Sequence, residues 1–336
     1  MTEALRFPRV AITGGAGYVG SALVPFLIRR GYEVSLIDLF LYGEDVFDGM
    51  ERSRSLQMVK GDIRDESLLR RALEGVDCVI HLACISNDPS FELDPALGRS
   101  INYDAFLNLL RVARDSGARR LIYASSSSVY GVRSEPDVRE GSPCEPLTDY
   151  SKYKLACEHA LRSGELGDCE FIVLRPATVC GYAPRMRLDL TVNILSINAL
   201  ARNEIVVYGG RQLRPNINIK DMVAVYGLLL EAPADKVHGE TFNAGYENHS
   251  VAEIAEIVKE VVGDPSVAIR VEPIVDARSY HINSDKIAER LGFRAQWSIE
   301  DAVQTICEAY DQGHIPNPLE DPRYYNIKTM QTVGLR

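Results

Sequence analysis

The sequence has no stretch of about 18 consecutive apolar residues, so it predicts no membrane-spanning helix. Its seven cysteines contain no Cys-x-x-Cys pair, which argues against a zinc or disulfide framework and favours reduced thiols. The opening residues lack the charged region and cleavage site of a secretory signal, which predicts a cytoplasmic location. Lys and Arg (37) are fewer than Asp and Glu (47), and the net charge of −10 disfavours nucleic acid and anionic membranes as partners.

The 336 residues, 46% of them hydrophobic, suffice for two domains or for one large α/β domain with an appendage. Short, continuous apolar runs alternate with amphipathic stretches, which is typical of strands covered by helices on both faces. This pattern predicts an α/β fold with a doubly wound parallel sheet. The predicted strands are Arg9–Thr13, Glu33–Asp38, Leu56–Lys60, Cys78–Leu82, Arg120–Ala124 and Phe171–Arg175, and the helices are Ser21–Arg30, Glu66–Leu73, Tyr103–Ser116 and Ser151–Leu161.

The pattern becomes less regular after Arg175. A strand at Glu240–Ala244 is predicted to return to the main sheet, and helices are predicted at Asp189–Arg202, Ser250–Val262, Asp285–Leu291 and Ile299–Gln312. We therefore predict a first domain at 1–178 with a return segment near 215–246. A smaller, discontinuous α/β domain takes 179–214 and 247–330.

A glycine-rich turn directly follows the first predicted strand. Gly14, Gly17 and Gly20 lie in the segment GGAGYVG, which leads into the first predicted helix. Glycines let such a turn tighten and let the backbone approach a pyrophosphate, and the helix N-terminus supplies free N–H donors. The position between first strand and first helix favours a dinucleotide site over a turn that binds nothing.

Asp38 ends the second predicted strand, about 20 residues beyond the turn. A carboxylate there accepts hydrogen bonds from both ribose hydroxyls and repels a 2′-phosphate, and residues 39–42 include no Arg or Lys. These features predict NAD rather than NADP, unless Asp38 only caps a turn. Asp62 follows the third strand and either meets the adenine amine or forms a plain turn.

Tyr150 and Lys154 stand four residues apart, on one face of a predicted helix. A nearby cation favours the phenolate and lowers the tyrosine pKa, so Tyr150 is a candidate general base toward a hydroxyl. This spacing also occurs by chance. The strand Arg120–Ala124 ends in the serine run Ser125–Ser128, where a hydroxyl is placed to bind a reacting oxygen or simply begins a polar loop.

Together these motifs resemble the extended short-chain dehydrogenases/reductases of the nucleotide-sugar epimerase/dehydratase family, which includes UDP-glucose 4-epimerases. The resemblance is carried by TGGAGYVG (13–20), GDI (61–63), HLA (81–83), Asn102, the serine run, Tyr150 with Lys154, and LRPATV (174–179). It implies a Rossmann fold that binds NAD in the first domain, and a nucleotide-diphosphate sugar bound by the second. It also implies a homodimer.

The resemblance further implies roles for individual residues. Tyr150 is then the base, Lys154 holds the nicotinamide ribose and Ser126 assists the tyrosine. The implied cofactor contacts, besides Tyr150 and Lys154, are Gly14, Gly17, Tyr18, Val19, Gly20, Asp38, Asp62, Ile63, Leu82, Ala83, Asn102, Pro176 and Val179. The implied substrate contacts are Ser126, Tyr150, Arg187, Asn193, Tyr208, Arg214 and Arg278, and no metal ligands are implied.

The substrate contacts differ in how specific they are. Asn193, Arg214 and Arg278 match residues that contact the diphosphate, and Tyr208 matches a strand beside the base. Forked guanidinium donors suit a diphosphate, although each arginine could instead form a surface ion pair. Arg187, with its neighbour Arg185, either flanks the sugar or lies at the surface.

Two serines bear on which reaction is catalysed. Sugar 4,6-dehydratases of the family carry Asp-Glu directly after the assisting Ser or Thr, and sugar-acid decarboxylases keep the Glu. This sequence has Ser127 and Ser128 there, and hydroxyls are poor substitutes for that acid–base pair. The resemblance therefore favours redox at C4 of the sugar, with a 4-epimerase first because epimerases are frequent in the family. The alternatives are a C4 dehydrogenase or 4-ketoreductase of a deoxysugar or heptose pathway, and a non-catalytic NAD-binding sensor or scaffold.

Overall fold

The computed structural model describes residues 4–50, 54–133, 135, 137–273 and 281–335. The strands in these residues are β1 Arg9–Thr13, β2 Glu33–Asp38, β3 Leu56–Lys60, β4 Cys78–His81, β5 Arg120–Ala124, β6 Glu170–Pro176, β7 Thr178–Cys180, β8 Glu204–Tyr208, β9 Leu213–Asn218, β10 Thr241–Ala244, β11 Glu247–Ser250 and β12 Ala268–Glu272. The α-helices are α1 Tyr18–Arg29, α2 Glu66–Ala72, α3 Asp88–Glu92, α4 Pro95–Arg99, α5 Ala105–Asp115, α6 Asp149–Arg162, α7 Thr191–Arg202, α8 Ile219–Glu231, α9 Ala234–Val237, α10 Val251–Val262, α11 Asp285–Leu291, α12 Ile299–Asp311 and α13 Asn326–Val333.

The main sheet has seven parallel strands in the order β3-β2-β1-β4-β5-β6-β10. Side chains alternate across it, so Val10 and Ile12 pack with α1 and α8 on one face while Ala11 packs with α2, α5 and α6 on the other. The predicted doubly wound parallel sheet is confirmed.

The later part of the chain adds two small sheets. Strand β9 lies between β7 and β11, and β8 pairs with β12. Helices α7, α10 and α12 pack together beside them around a separate apolar cluster that includes Leu195, Ile254 and Val303. Strand β10 lies beside β6 at the edge of the main sheet, as predicted for residues 240–244. The domain boundaries given above stay a prediction.

Two differences from the predicted elements have clear causes. Helix α1 begins at Tyr18 rather than at residue 21, since Gly20 lies inside its first turn, where a short side chain is required. Helix α8 was missed because it is buried on several sides, which removes the polar face that marks a helix in a sequence. Among the described helices, none has the length and apolarity to cross a bilayer.

Candidate active site

A cavity of about 400 Å³, here called the main cavity, lies at the carboxyl ends of the main-sheet strands. Its wall includes residues that directly follow or end β1, β2, β4, β5 and β6. In doubly wound sheets this edge is where ligands bind, because the loops there diverge to either side of the sheet.

The glycine turn closes one end of the main cavity. Gly14 has φ +73°, and a Cβ added to it would lie 2.5 Å from the backbone nitrogen of Ala83. A Cβ on Gly20 would lie 2.3 Å from the carbonyl oxygen of Gly15. Helix α1 follows with Gly17 as its N-cap and no capping side chain, which leaves its first N–H groups for an anion. The turn therefore fits the pyrophosphate of a dinucleotide.

Asp38 stands where β2 ends and lines the main cavity. Its carboxylate accepts hydrogen bonds from the backbone N–H groups of Ala16 (3.0 Å) and Phe40 (2.8 Å). Burial raises the pKa of Asp38, and these hydrogen bonds oppose that shift. The two contacts hold the carboxylate beside the glycine turn, where it suits the two hydroxyls of the adenosine ribose of NAD.

Two polar residues that sequence reasoning undervalued or missed also line this end of the cavity. Arg185 is 4% exposed, and its guanidinium lies 3.6 Å from the ring centroid of Tyr42. It donates to Asn326 in α13 (2.5 Å), while its Nε has no hydrogen-bond partner in the described part of the chain. Asn326 in turn donates to the Oγ of Ser86 at 2.9 Å. A buried guanidinium with an unused donor suits an anionic ligand.

We expect Arg185→Gln to weaken NAD retention about tenfold, because a hydrogen bond from a charged donor contributes on the order of 1.5–3 kcal/mol. Asn326→Ala should act in the same direction, since it frees the guanidinium that Asn326 holds. The measurement is the NAD content of purified protein and its loss during dialysis. Lys328→Ala, exposed on the same helix, is the matched control. Equal retention in all four proteins would contradict this role.

The candidate catalytic groups line the part of the main cavity away from the glycine turn and Asp38. Helix α6 begins after Thr148, which forms a capping box with Ser151, and it places Tyr150 and Lys154 on the cavity wall. The Nζ of Lys154 donates to the carbonyl oxygen of Ala124 (2.6 Å) and lies 5.8 Å from the Tyr150 ring centroid. Ser126 lines the same wall just beyond β5. The arrangement brings a phenol, an ammonium and a hydroxyl to one space.

The charge state of Tyr150 differs from the expectation. Burial raises its pKa to about 12, and Lys154 opposes that shift only in part. The sequence-based expectation of a lowered pKa is wrong for the protein alone, because spacing reveals the cation but not the loss of hydration. Burial lowers the pKa of Lys154, yet Cys84 and Tyr150 outweigh it and leave that pKa raised.

His81, the first residue of the HLA segment, ends β4 and lies in the core next to the site. It is buried, and its Nδ1 lies 2.7 Å from the Oγ1 of Thr13. Burial, with a contribution from Lys154, lowers the pKa of His81 to about 3. The ring is therefore neutral at physiological pH and packs as part of the core.

This shift predicts a pH dependence of stability. In the unfolded chain His81 has a pKa of about 6.5 and is protonated below that pH, whereas in the folded chain its pKa is about 3. The free energy of unfolding therefore decreases as the pH falls from about 6.5 toward 3. At pH 5 the loss should be about 2 kcal/mol, and His81→Asn should lack it. Chemical unfolding at pH 7.5 and pH 5 measures the difference, and identical losses in both proteins would contradict it.

The structure brings most of the predicted cofactor contacts into the main cavity. Its wall includes Gly14, Gly17, Tyr18, Val19, Gly20, Asp38, Asp62, Ile63, Leu82, Ala83, Tyr150, Lys154, Pro176 and Val179. Asn102 does not line it. Its amide instead bonds the backbone N–H (2.8 Å) and carbonyl (3.0 Å) of Ile85, which fixes a loop of the wall from behind.

The predicted substrate contacts are more scattered. Ser126, Tyr150 and Arg187 line the main cavity, and Arg187 donates to Asp189 (2.6 Å) and to the carbonyl of Ser86 (2.8 Å). Arg214 lines a second cavity of about 190 Å³, which shares Asp88, Ser128, Thr178 and Leu190 with the main one. Arg278 lies outside the described residues.

Two predicted substrate contacts are not in either wall. The side chain of Asn193 is fully buried and accepts from the Gly181 N–H (3.0 Å) while donating to the Arg187 carbonyl (2.8 Å). Its amide is thus used by backbone groups of the loop that precedes α7. Tyr208 is 58% exposed at the end of β8 and lines neither cavity.

Comparisons with known proteins agree with this geometry. The family model described as the NAD dependent epimerase/dehydratase family matches residues 10–245. UDP-glucuronic acid decarboxylase 1 of Arabidopsis thaliana is 30% identical over 88% of this chain and 68% of that protein. UDP-glucose 4-epimerase of Lactobacillus helveticus is 25% identical over 93% of this chain and 99% of that protein.

A solved structure shows the same fold. The dTDP-glucose 4,6-dehydratase DesIV from Streptomyces venezuelae, with NAD and TYD bound, superposes with a TM-score of 0.84. It is 25% identical, and the match covers 93% of this chain and 100% of that one. The chain belongs to the NAD-dependent epimerase/dehydratase family of extended short-chain dehydrogenases/reductases, and its cofactor is NAD.

Proposed function

We propose that this protein oxidises C4 of a nucleotide-activated sugar and then reduces the ketone from its other face, which makes it a nucleotide-sugar 4-epimerase. The observation that carries the proposal is the convergence of Tyr150, Lys154 and Ser126 on one cavity whose other end holds the glycine turn and Asp38. The proposal is supported by a candidate proton-transfer group and a candidate dinucleotide site that share one cavity.

Each residue has a distinct part in this proposal. Tyr150 takes the proton of the C4 hydroxyl and later returns it, and Ser126 hydrogen-bonds the reacting oxygen. Lys154, held by the Ala124 carbonyl, contacts the nicotinamide ribose and favours the phenolate through its charge. NAD, when bound, supplies the acceptor and donor of the C4 hydrogen and a positively charged ring that also favours the phenolate.

The substrate belongs to the class that the relatives' names describe, a nucleotide-diphosphate sugar. Arg214 is the proposed diphosphate contact in the second cavity, because a guanidinium binds two phosphate oxygens at once. The sugar then lies between Arg214 and Tyr150. Arg187 supports this region from the wall, through its contacts with Asp189 and Ser86.

Epimerisation fits the wall next to Ser126 better than dehydration or decarboxylation does. Ser127 and Ser128 stand where the resemblance implies an Asp-Glu pair in dehydratases and a Glu in decarboxylases. Ser127 is buried, and neither hydroxyl is an effective acid–base group at neutral pH. In the proposed reaction the ketone formed at C4 is therefore reduced again rather than dehydrated or decarboxylated.

The test is a panel of nucleotide sugars incubated with purified protein and no added reductant, with each sugar analysed by mass and proton NMR. The proposal predicts unchanged mass and altered coupling at H4. Loss of two hydrogens with NADH left on the protein would instead indicate a C4 dehydrogenase. Turnover only of 4-keto sugars with added NADH would indicate a ketoreductase, and loss of water would contradict the argument from the two serines.

We also propose a homodimer in the cytoplasm, on the resemblance and the sequence features given above. The resemblance implies an interface through the predicted helices Tyr103–Ser116 and Ser151–Leu161, which correspond to α5 and α6. Light scattering during size exclusion measures the mass directly, and a value near that of one 37.3 kDa chain would contradict the dimer.

A further inference from the structure

One wall of the main cavity comes from α13, which lies beyond the residues that the family model matches. Asn326 and Met330 of this helix and Leu335 just after it line the cavity. Asn326 and Met330 are four positions apart, so they share one face of the helix. None of the three is among the cofactor contacts that the resemblance implies. Helix α13 therefore adds a part of the site that has no role assigned to it.

The start of α13 is held by hydrogen bonds to two loops of the cavity wall. The backbone N–H of Asn326 donates to the Oδ2 of Asp189 (3.1 Å), and its side chain donates to the Oγ of Ser86 (2.9 Å). Its amide oxygen accepts from Arg185 (2.5 Å), whose backbone N–H donates to the Oγ of Ser21 in α1 (3.1 Å). Because α1 begins directly after the glycine turn, these contacts place the start of α13 at that end of the cavity.

Residues 330–335, here called the distal half of α13, are held by apolar packing. Met330 and Leu335 pack against the cluster that includes Ile63 and Ile101, and all four residues line the main cavity. The residues between them, 331–334, are exposed. The distal half therefore covers the cavity with one apolar face and has water on its other face.

A space of about 170 Å³, here called the side space, separates the distal half from α3 and α4. Leu93, which connects those two helices, lines it. The side space shares four lining residues with the main cavity: Ile85, Ser90, Met330 and Leu335. The buried Oγ of Ser90 has no hydrogen-bond partner within the described residues. Packing is thus incomplete behind the distal half, and a shift in this direction displaces few side chains.

We infer that α13 forms the outer wall of the NAD site at the end that holds the glycine turn and Asp38, and that its distal half moves into the side space when NAD enters or leaves. Asn326 stays bonded during this movement and anchors the helix. The wall therefore sets how fast NAD exchanges in addition to how tightly it is bound. The inference concerns the cofactor alone and goes beyond the proposed reaction, because no sugar contact takes part in it.

The test measures the exchange rate and the Kd of NAD in the wild-type protein and three variants. Protein purified with NAD is mixed with an excess of deuterated NAD, and the bound nucleotide is analysed by mass at successive times. Equilibrium dialysis at defined NAD concentrations gives Kd. Met330→Ala loosens the distal half, and Leu93→Phe fills part of the side space from an exposed position. Thr332→Ala, on the exposed face of α13, is the matched control.

Met330→Ala should speed NAD exchange about tenfold, because the side chain that packs the distal half over the cavity is lost. Its Kd should change by less than about threefold, since a wall that opens more often speeds entry as well as release. Leu93→Phe should slow exchange about threefold with the same Kd, because the distal half has less space to move into. Thr332→Ala should change neither quantity.

Each alternative has its own signature. Equal increases in exchange rate and Kd in Met330→Ala would show that Met330 is a contact to NAD and not part of a moving wall. Unchanged exchange in Met330→Ala, or exchange in folded Leu93→Phe as fast as in the wild-type protein, would also overturn the inference. The unfolding temperature reports whether each variant is folded. No sugar is present in these measurements, so their failure leaves the proposed C4 chemistry to its own test.

Discussion

Replacing Tyr150 with Phe should reduce turnover about 10³-fold, because a positioned general base contributes about 10²–10⁴-fold. Phe keeps the ring and loses only the hydroxyl. The NAD content should therefore stay unchanged, and the loss should fall on kcat rather than on KM. Single-turnover measurements with saturating substrate separate these terms.

The matched control for this substitution is Tyr153→Phe. Tyr153 lies on the same helix but packs against Phe91 and Tyr103, with ring centroids at 5.6 and 5.8 Å. It should retain nearly full activity. If Tyr150→Phe turned over substrate as fast as this control, Tyr150 would not be the base. A cellular effect that survived the loss of turnover would favour the sensor or scaffold hypothesis.

Glu158→Gln should lower the free energy of unfolding by about 3–5 kcal/mol, because removing one partner leaves a buried charge uncompensated. The Oε2 of Glu158 lies 2.7 Å from Arg175, and the two side chains are 1% and 6% exposed. Glu158 also accepts from the Oγ of Ser125 at 2.6 Å. The pair thus ties α6 to β6 and to the serine run, and chemical denaturation at neutral pH measures its loss.

Two further variants test this account of the buried pair. Glu165→Gln removes an exposed carboxylate just beyond the same helix and should change stability by less than about 0.5 kcal/mol. The double substitution of Glu158 and Arg175 by Leu should be less destabilising than Glu158→Gln, since no unpaired charge remains. A loss below about 1 kcal/mol for Glu158→Gln would show that the pair is not a buried unit.

The parallel sheet was predictable because its signals are local. The predicted ends of β1, β2, β3 and β5 agree with the structure, and Asp38 and the serine run mark points where a strand meets the cavity. The glycine turn is local only in part, since Gly17 and Gly20 are required by contacts within the turn, whereas Gly14 is required by Ala83, which follows the neighbouring sheet strand β4. Strand ends and turns that depend on local contacts can be predicted from short stretches of sequence.

The residues that sequence reasoning undervalued or missed act over long separations. Arg185 meets Tyr42 and Asn326, which are 143 and 141 positions away in the sequence. The pKa of Tyr150 depends on burial, which spacing does not report. Asn193 resembled a ligand contact by position, yet its amide bonds to neighbouring backbone groups.

The most direct test of the central claim uses a nucleotide sugar that carries deuterium at C4. If the protein removes the C4 hydrogen and returns it to the opposite face within one closed site, the recovered epimer keeps its deuterium at C4 and its mass is unchanged. Product that has inverted at C4 without deuterium there, or that has lost water, would contradict the account.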